Sequence, residues 1–149
     1  MKTERKNTTV AVALGLLLIA TTTLVPAGWA QEAKVKPAIT IAQLAGPWQV
    51  ALVGNTGCGS SSMLFTGTMN SSGQATGTLI GNSGCGPSNN SQTFTVNSLK
   101  SNGSGTAFLS CGEGCGWNLT IQVSPNKQVI GLVDITDPEN YLAGTAVKQ

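Results

Sequence analysis

From Ile41 onward the chain divides into short apolar stretches separated by clusters of Gly, Ser, Asn and Pro, the pattern of strands joined by turns. Within several stretches, apolar and polar positions alternate. Trp117, Leu119, Ile121 and Val123 face one way, and Asn118, Thr120 and Gln122 the other. Met63, Phe65, Gly67 and Met69 are likewise set against Leu64, Thr66 and Thr68. A period of two places alternate side chains on opposite faces of a strand, one against a core and one in water. No stretch keeps a helical period long enough for a core helix, although Ile41–Ala45 suits one short turn. The pattern predicts eight strands: Trp48–Val53, Met63–Met69, Gln74–Ile80, Thr93–Leu99, Thr106–Cys111, Trp117–Val123, Val129–Ile135 and Tyr141–Val147.

The connections are of two kinds, and they alternate. Asn70–Gly73, Ser101–Ser104 and Ser124–Lys127 are tight-turn material. Gly54–Ser62, Gly81–Gln92, Gly112–Gly116 and Thr136–Asn140 read as broader loops. Successive connections of an up-and-down meander fall at opposite ends. The tight turns therefore gather at one end, and the broad loops, with Cys58, Cys85, Cys111 and Cys115, at the other. The predicted fold is all-β: a single antiparallel up-and-down β-barrel of about eight strands, closed so that no sheet edge is exposed. Gly67, Gly77, Gly131 and Gly144 inside strands suit bends at barrel corners. A two-sheet β-sandwich is the alternative.

The segment before the strands has a different grammar. Lys2, Arg5 and Lys6 precede an uncharged apolar run, Val10–Ala20, and small residues Gly28 and Ala30 stand before Gln31. This is the layout of a cleaved export signal. The run is shorter than the ~20 apolar residues of a spanning helix, and Thr21, Thr22, Thr23 and Pro26 interrupt its continuation. Residues 1–30 are expected to be a signal peptide, 31–40 a linker and 41–149 the barrel. The destination is secreted or periplasmic, with no membrane span in the mature chain.

Charge narrows the partners. Beyond residue 30, Lys34, Lys36, Lys100, Lys127 and Lys148 balance Glu32, Glu113, Asp134, Asp137 and Glu139. A neutral chain with scattered cations is a poor match for nucleic acid, which needs clustered positive charge. The even number of cysteines in an exported domain reads as two disulfides. Three pairings are possible. The similar motifs Asn55-Thr56-Gly57-Cys58-Gly59 and Asn82-Ser83-Gly84-Cys85-Gly86 favour Cys58–Cys85, leaving Cys111–Cys115 to close a short loop. A zinc site formed by the four cysteines is the rival, because Cys111 and Cys115 have ligand-like spacing; the compartment argues against it.

Catalytic chemistry has few candidates. The chain has no histidine, which excludes Ser-His-Asp and Cys-His nucleophilic systems. Asp134, Asp137 and Glu139 lie near one another at the cysteine end, where Asp137-Pro138 reads more simply as a turn. The expectation is a non-enzyme without cofactor or metal. Asp134, between Val133 and Ile135 and facing opposite to both, points either to solvent or into a cavity as a ligand-orienting group. Trp48, Phe65, Phe94 and Trp117 read as core, while Tyr141 at the start of the last strand can line a mouth.

Gly46-Pro47-Trp48 resembles the G-x-W that opens the first strand of calycins, the lipocalin and avidin group, and Ser72-Gly73-Gln74-Ala75-Thr76-Gly77-Thr78 is similar to an avidin turn and strand. The resemblance implies a small barrel whose Trp48 closes the bottom and whose mouth takes a small apolar or heterocyclic ligand. Avidin-type biotin sites use several aromatic residues. Here the mature chain offers only Trp48, Trp117, Tyr141, Phe65, Phe94 and Phe108, so no biotin-site residue is carried over.

The leading functional expectation is a secreted binding or accessory protein with a disulfide-stapled loop end. A small ligand there would meet Met63, Phe65, Leu119, Ile121, Asp134 and Tyr141. The alternative is a structural or surface-interaction protein that presents a polar Ser/Thr/Asn face to a protein or glycan surface; a filled barrel would favour it. Nothing in the sequence signals an oligomeric state.

Overall fold

A computed structural model describes residues 38–134 and 140–149. The predicted signal peptide, most of the predicted linker, Asp137 and Glu139 lie outside the described residues. A single 3₁₀ turn, Ile41–Leu44, leads into eight strands: β1 (Gly46–Thr56), β2 (Gly59–Met69), β3 (Gln74–Ser83), β4 (Gly86–Leu99), β5 (Ser104–Gly112), β6 (Cys115–Val123), β7 (Val129–Val133) and β8 (Tyr141–Lys148). Each strand pairs antiparallel with the next, and β8 returns to pair with β1, Gly144 opposite Leu52. The sheet is a closed up-and-down barrel, so the sandwich alternative falls away. None of the described helical residues forms a helix long and apolar enough to cross a membrane.

The period-two pattern is what fills the barrel. Trp48, Val50 and Leu52 of β1 are buried. So are Phe94 and Val96 of β4, and Leu119, Ile121 and Val123 of β6. Phe65 and Phe94 meet near the middle with ring centroids 6.3 Å apart, a tilted aromatic contact. Burying each large apolar side chain stabilises the fold by about 1.5–3 kcal/mol.

One end of the barrel is sealed. Leu44 on the 3₁₀ turn is fully buried, and the indole Nε1 of Trp48 donates to the Leu44 carbonyl at 2.6 Å. Lys148 Nζ lies 5.9 Å from the Trp48 ring centroid, within cation–π range. Ile39, placed by sequence near the end of a linker, is instead 6% exposed and packed into the core. Its amide donates to the Ser101 carbonyl at 3.1 Å. The turns at this end share one design. Gly73 N donates to Asn70 O at 3.1 Å, and Gly103 N to Lys100 O at 2.9 Å. Both glycines have positive φ, +85° and +88°, the left-handed position that follows a tight turn in a bulged hairpin.

The opposite end corrects the sequence reading. Three of the expected broad loops are strands that continue to two-residue tips, Gly57-Cys58, Gly84-Cys85 and Glu113-Gly114. Their residues keep ladder pairing, as in Thr56 with Gly59 and Ser83 with Gly86. Alternation fades there because both faces of these extensions are wet, one outside the barrel and one inside an open mouth.

Strand glycines allow the backbones to approach. A Cβ on Gly144 would run into the Ala51 carbonyl and lie 3.0 Å from Leu52 Cα, both on the neighbouring strand. Gly144→Ala is therefore expected to destabilise the barrel by about 1–3 kcal/mol. Urea denaturation followed by circular dichroism checks this, and a midpoint equal to wild type would contradict the close packing.

Candidate functional site

The inward rows that fill the barrel change character toward the open end. On β2, the positions in phase with Phe65 are Met63 and Ser61; on β4, those in phase with Phe94 are Gln92, Asn90 and Ser88. Ile130 and Leu132 of β7 are followed in the same phase by Asp134. Apolar side chains below and short polar ones above leave a cavity of about 540 Å³ at the mouth, within the range of small-molecule sites. Its apolar wall includes Met63, Leu79 and Trp117, and its polar wall Thr56, Ser61, Ser88, Asn90 and Asn118.

Two disulfides frame this mouth. Cys58–Cys85 ties the β1–β2 tip to the β3–β4 tip, with Cα atoms 5.3 Å apart. Cys111–Cys115 closes the β5–β6 hairpin, with Cα atoms 5.2 Å apart. All four cysteines stand at one end in the pairing favoured by the sequence, and no described cysteine is free. The thiolate–zinc alternative falls away because the sulfurs are bonded to one another. Among the described residues no group of His, Cys, Asp and Glu is arranged to hold a metal. Paired disulfides belong to chains that fold in an oxidising environment.

Hydrogen bonds fix the wall beneath the first bridge. Thr56 Oγ1 and Ser61 Oγ lie 2.8 Å apart, the Cys58 amide donates to Thr56 Oγ1 at 3.3 Å, and Ser61 Oγ donates to the Gly59 carbonyl at 3.1 Å. Across β4 and β5, Ser110 Oγ donates to Gln92 Oε1 at 2.7 Å and receives the Thr93 amide at 2.8 Å. Among the described residues no fully buried side-chain nitrogen or oxygen lacks a partner. These bonds tie the polar groups of the wall to one another and to the backbone.

The sequence-selected residues separate into three groups. Met63 and Asp134 line the mouth. Asp134 is 4% exposed, so the solvent-facing alternative does not hold; its amide donates to the Leu142 carbonyl at 2.7 Å. Phe65, Leu119 and Ile121 lie deeper, each 1% exposed, in the packed core that fills the barrel below. Tyr141 stands outside, 54% exposed, because it is out of phase with the inward Leu142. Trp117, assigned by sequence to the core, is half-buried and lines the mouth. Ser61, Ser88 and Asn90 were missed. Their signal is a polar residue in strand phase with an apolar core row.

Removing the bridge with a Cys58→Ser, Cys85→Ser double substitution is expected to cost about 2–4 kcal/mol. Thermal unfolding with and without reductant checks this, and unchanged stability would contradict a bonded rim. No protein-family model matches the chain, and no curated protein matches it.

Proposed function

We propose that this chain is an exported, non-enzymatic binding protein, secreted or periplasmic, that holds a small ligand in the open mouth of its barrel. The observation that carries this reading is the cavity itself, about 540 Å³ in volume, between a packed core and two disulfide-tied hairpin tips. A mixed wall of Trp117, Met63 and Leu79 with hydroxyl and amide groups suits a ligand with an apolar body and a few hydrogen-bonding groups. The calycin-like resemblance points the same way, since Trp48 closes the end opposite the mouth. The whole sequence has no histidine, the commonest general base and nucleophile activator, which weighs toward binding rather than turnover.

A second reading has its own observation. Outward hydroxyls stand in register across three strands: Thr66 opposite Thr78 and Thr78 opposite Ser91, then Thr68 opposite Thr76 and Thr76 opposite Thr93. This uncharged patch suits a surface-interaction role toward a polar glycan or protein surface.

Native mass spectrometry of protein from its own source separates the two. Ligand binding predicts a retained adduct that is lost on denaturation. It also predicts that the ligand alters the emission of Trp117, and that Trp117→Phe removes the change while Trp48 emission persists. A bare polypeptide mass, with emission unmoved by extracts of the source medium, would favour the surface role.

A further inference from the structure

The described charges are sorted along the barrel axis. Lys100 lies on the β4–β5 turn, Lys127 on the β6–β7 turn and Lys148 at the end of β8, all at the closed end. Glu113 occupies the β5–β6 tip at the open end, and Asp134 is the only ionisable side chain among the described residues lining the cavity. Asp134 is 4% exposed, so its carboxylate acts in a medium less polarisable than bulk water. Lys127, at the far end of β7, is about 20 Å away at ~3.3 Å per residue. That exceeds the ~8 Å screening length of physiological salt. A cavity lined by one sign of charge focuses its field inward and concentrates ligands of the opposite sign.

We infer that the mouth selects small organic cations, an ammonium head on an apolar or aromatic body. The ammonium meets the Asp134 carboxylate, a charge-assisted contact. Its remaining donors face hydroxyl and amide oxygens, Ser61, Ser88 and Asn90 among them. The body packs on Met63 and Leu79, and the Trp117 ring offers an aromatic face to positive charge. No lysine or arginine is among the described lining residues, so an anionic ligand of the same shape meets repulsion from Asp134 and no cationic partner among them. The inference rests on the mouth being the binding site.

Three probes with one phenyl-alkyl body and different heads test it: phenethylamine, phenethyl alcohol and hydrocinnamate, titrated into the full exported chain by calorimetry and by Trp117 emission. The amine is expected to bind about tenfold or more tighter than the alcohol, with the carboxylate weakest, and the margin should narrow as salt is raised. Asp134→Asn should bring amine affinity down to about that of the alcohol, so that the ranking of the two heads collapses. Should that variant fold poorly, the ranking on the wild-type chain decides. Equal binding of amine and alcohol, or tightest binding of the carboxylate, overturns the cation assignment and leaves the mouth as a site. Silence of all three in both readouts overturns the mouth reading as well.

Discussion

Closure of β8 onto β1 is the constraint on which the rest depends. Once every strand has two partners, the sheet has no edge strand, and each inward position is committed to one interior. Side chains of alternating phase then decide only how full that interior is. From Trp48 through Phe65 and Phe94 it is filled by large apolar groups. Beyond Met63 and Leu79 the same rows continue with Ser, Thr, Asn and Gly, and a hollow opens. Core and cavity are thus one set of strand rows read at two heights.

That continuity explains what was legible in the sequence. Leu119, Ile121 and Val123 alternate with exposed polar partners, so period two marked β6 and its buried face directly. The alternation of tight and wider connections placed all four cysteines at one end, because a meander leaves little choice. Gly86–Ser91 is polar on both faces and carries no period, so the first half of β4 read as loop although it pairs with β3 throughout. Functional positions were harder. Phe65, Leu119 and Ile121 share a phase with the mouth residues but sit lower on the barrel, and height depends on register, which a one-dimensional pattern does not encode. Asp134 was legible only as a choice between inside and outside, because Val129, Ile130, Leu132 and Val133 put apolar residues in both phases of the strand before it and alternation does not mark the inward one.

The disulfides act on this architecture where it is weakest. At the sealed end, the buried Leu44, Trp48 and Ile39 supply cohesion without covalent help. At the open end, the inward positions have exchanged apolar contacts for a cavity, and the hairpin tips project past the core. A covalent link between the β1–β2 and β3–β4 tips replaces the packing that the hollow forgoes. Loss of a bridge therefore changes the geometry of the mouth before it changes the core.

The two ends of the described barrel leave from the same pole. Ile39 enters beside Ser101, and the Gln149 amide donates to the Pro47 carbonyl at 3.0 Å, both remote from the cysteine tips. A handle attached after Gln149, or a solid support coupled at that position, would hold the barrel with its opening turned outward. The molecule has a built-in orientation for immobilisation, and a captured array would present every cavity to the flowing solution.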